Sequence, residues 1–120
     1  TDVKIPHLQL YGLDEGSSDR MWNSYLESLK VVSESEVEME VRIPVIKEMD
    51  LESFKLEAKE VLNMLKGSRC KFYARVNPIL GEPYTLPRNI LWASQYCNPS
   101  QHDLEVVRET LASIGFNTII

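Results

Sequence analysis

Arginine, asparagine, glutamine and tyrosine side chains on predicted strands could bind a polar small molecule. Arg42 and Arg75 could pair with anionic groups through bidentate hydrogen bonds, and Asn77 could orient a polar edge of the ligand. Gln9 and Tyr11 stand at the end of an earlier apolar stretch. Ligands of parallel α/β folds bind at the carboxyl ends of the strands, so these side chains are the candidate cofactor-binding residues.

The charges on these strands also have a second interpretation. Alternating charged residues can form cross-strand ion pairs on a sheet face exposed to water, and each such pair contributes little to stability. The residues concerned are Glu38, Glu40, Arg42, Lys71 and Arg75. The residues alone favour this second interpretation, and both stay open.

Other kinds of site find little support in the sequence. His7 and His102 are too isolated to predict metal binding, which usually needs three or four clustered donors. The Gly81-Glu82-Pro83 segment lacks the lysine and hydroxyl residue of a phosphate loop. Cys70 and Cys97 have no metal or redox spacing and are interpreted as ordinary buried thiols. No serine shows an adjacent base, so we identify no nucleophile.

Four stretches of the chain are predicted strands. The first, at 3–11, carries Pro6, which favours an edge position. The second, at 37–46, alternates strictly between apolar and charged residues, and the third covers 70–77. A short fourth strand is predicted at 117–120.

Three amphipathic helices are predicted between these strands. The first begins at Ser17 or Ser18, and the second is capped by Asp50. The third begins at Asn98-Pro99-Ser100, with Pro99 in its first turn and a capping box from Ser100 to Asp103. Their buried stripes are, in order, Trp22, Tyr25, Leu26, Leu29 and Val32; Phe54, Ala58, Val61, Leu62 and Leu65; and Leu104, Val107, Leu111 and Ile114. Gly67 and Gly115 end the second and third helices. A long connection at 78–96 contains Pro83, Pro87 and a short extended piece near Ile90 to Trp92.

This order of elements predicts an α/β fold with a mostly parallel sheet of about four βα units. Helices on one face and charged residues on the other are typical of a partial barrel, whose inner face lines a lumen. We therefore expect one domain over residues 1–120 that forms half of a TIM-like barrel. The exposed edges of such a half-barrel favour self-association or a partner chain.

Charge and composition predict which partners the chain does not bind and where it is located. The net charge is −5 and the basic residues are scattered, so nucleic acid is not an expected partner. The absence of a long apolar run or a leader pattern predicts no membrane contact and a cytoplasmic location.

Several segments in order resemble the C-terminal half of a radical S-adenosylmethionine enzyme barrel. His7-Leu8-Gln9-Leu10-Tyr11-Gly12-Leu13-Asp14-Glu15 is similar to a mid-barrel strand and turn. Val41-Arg42-Ile43-Pro44-Val45-Ile46-Lys47-Glu48 resembles the next strand, with its proline and acidic loop. Arg75-Val76-Asn77-Pro78-Ile79-Leu80-Gly81-Glu82-Pro83-Tyr84 resembles the one after, and Asn98-Pro99-Ser100 and Gly115-Phe116 complete the pattern over nearly the whole chain.

The resemblance implies S-adenosylmethionine as a ligand, with Asn77 near it and Arg42 in the barrel lumen. The family's C-x-x-x-C-x-x-C loop, which binds a [4Fe-4S] cluster, is absent here, so the cluster would come from another segment or chain. The chain would then be part of an enzyme only when the missing half completes it. The alternative is a non-catalytic binding or assembly domain that self-associates or docks a partner through its polar sheet face.

Overall fold

In the computed structural model, which describes residues 1–81 and 89–120, helices and a parallel sheet surround one apolar core. The elements of this part of the chain are α1 (His7–Tyr11), α2 (Glu15–Ser33), β1 (Glu38–Val45), α3 (Leu51–Leu65), β2 (Lys71–Pro78), α4 (Ile90–Tyr96) and α5 (Gln101–Ile114). The predicted α/β class is therefore confirmed. Part of the predicted connection at 78–96 lies outside the described residues, including Glu82, Pro83, Tyr84 and Pro87.

The sheet consists of β1 and β2, which pair in parallel from Glu38↔Lys71 to Val45↔Pro78. Extended backbone at the two ends of the chain adds one bridge at each edge, Asp2↔Arg42 beside β1 and Ala74↔Ile119 beside β2. Hydrogen bonds support both additions, including Val3 N to Arg42 O at 2.8 Å and Ile120 N to Ala74 O at 2.8 Å. The predicted final strand is thus present as a short edge pairing.

The core lies between the apolar face of the sheet and helices α2, α3 and α5. From β1, alternate residues Met39, Val41, Ile43 and Val45 are buried, as the period-two pattern predicts. The predicted stripe of α3 is buried throughout, and Phe54, its first residue, is fully enclosed. The other two stripes are buried in part, because Val32 is 40% exposed and Leu104 and Ile114 are half-buried.

The helices largely begin and end where the capping rules predict, but the predicted first turns of α2 and α5 need correction. Asp50 caps α3, and Ser100 caps α5 through a capping box with Asp103, as predicted. The cap of α2 is Asp14, which accepts a hydrogen bond from Ser17 N, so Ser17 already lies inside the helix. Pro99 precedes the cap of α5 and is not part of its first turn.

The first predicted strand is wrong beyond its opening residues. Pro6 has an extended backbone and occupies the N-cap position of α1. This short helix ends at Gly12, where φ is +66°. An apolar run of this length fits a strand or a helix equally, and the proline that we placed in an edge strand begins a helix instead. Gln9 and Tyr11 consequently lie on α1 and not at the end of a strand.

The extended piece expected near Ile90 to Trp92 is also wrong, because α4 begins there. Asn89 caps this helix by accepting a hydrogen bond from Trp92 N at 3.1 Å. A local side-chain cap therefore overrides the β preference of the isoleucine and tryptophan. Among the described residues, no helix has both the length and the apolar content needed to cross a membrane.

Candidate functional site

The carboxyl ends of β1 and β2 lead into a group of segments that we call the rim: α1, the turn at 46–50, residues 79–81 and α4. Backbone hydrogen bonds connect parts of the rim to β1 and to one another. Ile79 N donates to Val45 O at 3.0 Å, and Lys47 N donates to Tyr96 O at 2.8 Å. This is the edge at which parallel α/β folds bind their ligands.

Gln9, a predicted cofactor residue, lies at the rim and joins α1 to the turn after β1. Its side-chain amide donates from Nε2 to Glu48 O at 3.0 Å and accepts from Asp50 N at 2.8 Å. Its backbone carbonyl accepts a hydrogen bond from Trp92 Nε1 of α4 at 2.9 Å. Gln9 therefore holds three parts of the rim together.

The second predicted residue of α1, Tyr11, is half-buried. The Lys4 ammonium lies 5.7 Å from the centre of the Tyr11 ring. Burial raises the pKa of the Tyr11 phenol, and the negative charge of Glu57 raises it further. Tyr11 is therefore in its neutral, hydrogen-bonding form at physiological pH.

Arg42 and Arg75 are brought side by side on the polar face of the sheet, since they are direct partners in the strand register. Each is paired with a carboxylate: Arg42 Nε lies 2.7 Å from Asp2 Oδ1, and Arg75 Nε lies 3.3 Å from Glu40 Oε2. All four side chains are between 29% and 48% exposed. The cross-strand pair of Glu40 and Arg75 is thus present, as the second interpretation expects, whereas Arg42 pairs with Asp2, which that interpretation did not include.

Glu40 is the centre of the hydrogen bonding on this face. It accepts from the Tyr73 hydroxyl at 2.9 Å, and this bond, followed by the contact with Arg75, lowers the pKa of its carboxyl group. The Glu40 carboxylate therefore stays charged to lower pH than an ordinary glutamate. Asn77, the remaining predicted site residue, is half-buried near the end of β2, opposite Pro44 in the register.

A cluster that the sequence did not predict lies where α1 meets α2 and α3. His7, which seemed isolated, has Nε2 2.7 Å from Asp19 Oδ1 and has Nδ1 in contact with Glu57 Oε1. Its ring stacks on Trp22, with 5.7 Å between ring centres and 13° between planes. We call His7, Asp19, Trp22 and Glu57 the His7 cluster. No sequence signal joins these residues, because they come together only when three helices pack.

A cavity of about 260 Å³ opens beside the His7 cluster, between α1 and α3. Its walls are formed by Pro6, His7, Leu8, Gln9, Asp50, Ser53, Leu56 and Glu57. The histidine, cysteine and acidic residues described by the structure form no group of three or more that could hold a metal ion. The thiols of Cys70 and Cys97 are both buried, as predicted.

Comparison with known proteins adds no family to this description. No protein-family model, no curated protein and no solved structure matches the chain.

Proposed function

We propose that this chain is the C-terminal part of a radical S-adenosylmethionine-type barrel, in which it lines part of the substrate and cofactor cavity. The supporting observation is the order of the sheet. Parallel β1 and β2 are neighbours in the chain, and residues at 1–3 and 118–120 continue that order at the two edges. Sequential parallel strands with helices on one face are the building pattern of a βα barrel, and this chain would form about half of one.

In this proposal the polar sheet face lines the lumen. Arg42 and Arg75 stand side by side there, and each is paired with a carboxylate through Nε. A guanidinium has five N–H donors, so one carboxylate contact leaves donors for the carboxylate of S-adenosylmethionine. Asn77, near the end of β2, would orient the polar edge of the cofactor, and Gln9 and Tyr11 would contribute from α1.

The [4Fe-4S] cluster of such an enzyme would be held by another segment or chain. Binding of the cluster outside this chain agrees with the sequence, which lacks the three-cysteine loop. The chain's own contribution would be binding and orientation, and the electron transfer that cleaves the cofactor would depend on the other half.

Calorimetric titration with S-adenosylmethionine tests this proposal. The chain is titrated alone, and again after anaerobic reconstitution with iron and sulfide together with a polypeptide that carries the three-cysteine loop. We expect binding in the reconstituted complex, its loss in Asn77→Ala and in Arg75→Gln, and no change in Asn63→Ala, an exposed asparagine of α3. A reconstituted complex with a cluster chromophore that does not bind the cofactor would refute the proposal.

A second candidate is an assembly domain that docks a second copy or another chain through its polar sheet face. The partly exposed charges of Asp2, Arg42, Glu40 and Arg75 favour it, because charges that face complementary charges of a partner set register and partner choice. Light scattering over a range of concentrations distinguishes the two candidates. A dimer that dissociates on Arg42→Glu but not on Arg69→Glu, an exposed arginine elsewhere, would support assembly, whereas a monomer at all concentrations would exclude the self-association form.

A further inference from the structure

His7 is the first residue of α1, and its imidazole joins this short helix to two longer ones. One ring nitrogen contacts Glu57 of α3 and the other contacts Asp19 of α2. The side chains of His7 and Glu57 are only 16% and 12% exposed, whereas that of Asp19 is 52% exposed. The imidazole is therefore largely shielded from water, with a carboxylate at each nitrogen.

Only the protonated ring can satisfy both contacts. Neutral imidazole has one N–H donor and one acceptor nitrogen, while imidazolium donates from both nitrogens. A carboxylate can only accept, so loss of the proton would leave one ring nitrogen facing a carboxylate lone pair. Burial lowers the pKa of His7, but the hydrogen bonds and charges of Asp19 and Glu57 raise it more, so the net pKa lies above the ordinary value.

Other charged groups near the ring do not reverse this balance. Asp50, at the start of α3, lines the same cavity and adds negative charge. The Lys4 ammonium is directed to the Tyr11 ring, and the phenol of Tyr11 has a raised pKa, so it stays neutral while a histidine titrates. The surroundings of His7 are thus dominated by the carboxylates of α2 and α3.

The position of α1 also fixes the rim. Two residues after His7, Gln9 bonds to Glu48 O and Asp50 N, and its carbonyl receives the Trp92 indole N–H. A change in how α1 is held is therefore transmitted directly to the turn at 46–50 and to α4.

We propose that His7 is a proton-controlled clamp that holds α1 against α2 and α3 and so keeps the rim closed, and that loss of its proton loosens both. A histidine whose pKa is raised on folding stabilises the folded state fully below its unfolded value of about 6.5. That stabilisation is lost as the pH rises through the raised folded value. The clamp therefore holds fully below about pH 6.5 and loosens as the pH rises through the raised folded value, and it does not depend on which ligand the rim binds.

Histidine proton NMR tests the clamp directly. The chain has two histidines, so His102→Gln leaves the His7 signal alone in the 120-residue chain. We expect a His7 midpoint above 6.5, and over the same pH range a rise in Trp22 emission, because a stacked imidazolium quenches indole fluorescence. We also expect faster exchange of the Leu10 amide, corrected for intrinsic rates, since Leu10 N donates to Pro6 O within α1 at 2.9 Å.

Matched variants separate the clamp from a general loss of structure. Glu57→Gln should lower the His7 midpoint, whereas Glu60→Gln, an exposed glutamate one turn further along α3, should not. Asp19→Asn should also lower it, and this half-exposed position keeps the test available if the Glu57 variant does not fold. His7→Gln should abolish the fluorescence transition. A His7 midpoint at or below 6.5, or a titration that leaves Leu10 exchange and Trp22 emission unchanged, would overturn the proposal.

Discussion

Replacing Gln9 with alanine would remove one side chain that bridges α1 and the turn after β1. The amide of Gln9 makes two hydrogen bonds, to Glu48 O at 3.0 Å and from Asp50 N at 2.8 Å. Both bonds are exposed to solvent, so each should contribute about 0.75 kcal/mol, in the lower half of the usual range of about 0.5–1.5 kcal/mol. Together they account for about 1.5 kcal/mol.

Part of this loss is offset within α1. Alanine is a better helix former than glutamine by a few tenths of a kcal/mol. The expected net change in the free energy of unfolding is therefore a decrease of about 1 kcal/mol. In a domain of this size, that decrease corresponds to a fall in melting temperature of about 4 °C.

Urea denaturation followed by circular dichroism measures this change. With an m value of about 2 kcal/mol/M, the unfolding midpoint should fall by about 0.5 M while the slope stays constant. Gln101→Ala, at an exposed first position of α5, is the control and should change stability by less than about 0.5 kcal/mol. Equal midpoints for the two variants would show that Gln9 does not brace the rim in the absence of a ligand.

Two further predictions concern the polar face and the core. Tyr73→Phe and Arg75→Gln should each raise the pKa of the Glu40 carboxyl, because the tyrosine hydrogen bond, and after it the hydrogen bond and charge of the arginine, lower it. Carboxyl carbon NMR measures both shifts, and an unchanged pKa in Tyr73→Phe would contradict this assignment. Since the folded pKa is lowered, this carboxylate stabilises the fold above the ordinary glutamate value of about 4.3 and loses that effect as the pH falls through the folded value. Phe54→Ala should cost about 3–5 kcal/mol of unfolding free energy. Leu56→Ala, at a 69% exposed position of the same helix, should cost less than about 0.5 kcal/mol, and comparable losses for the two variants in chemical denaturation would show that Phe54 is not central to the core.

The elements that the sequence predicted well are those with a strong local signal. The strict alternation of β1 and the Asp50 cap of α3 gave both type and position. The capping box at Ser100 and the glycine at 115 likewise marked both ends of α5. Each signal depends on residues a few positions apart, so it can be recognised without knowing the tertiary fold.

The errors arise where local patterns permit two structures or where contacts are distant in the chain. The apolar run before Gly12 fits a strand or a helix, and Pro6 decides between them only through its place before His7. The contact between His7 and Glu57 spans 50 residues. Such a contact follows from the packing of α1 against α3, which no spacing rule describes.

The pairing of both chain ends with the sheet has a mechanical consequence. Residue 1 lies at the amino end of one edge and residue 120 at the carboxyl end of the other, and the strands are parallel. A force that enters at residue 1 and leaves at residue 120 would therefore pull the two edges in opposite directions along the strands. This geometry loads the edge hydrogen bonds in shear, so that several must break at once instead of one after another. The sheet should resist stretching through these two points more strongly than it resists peeling from either edge alone.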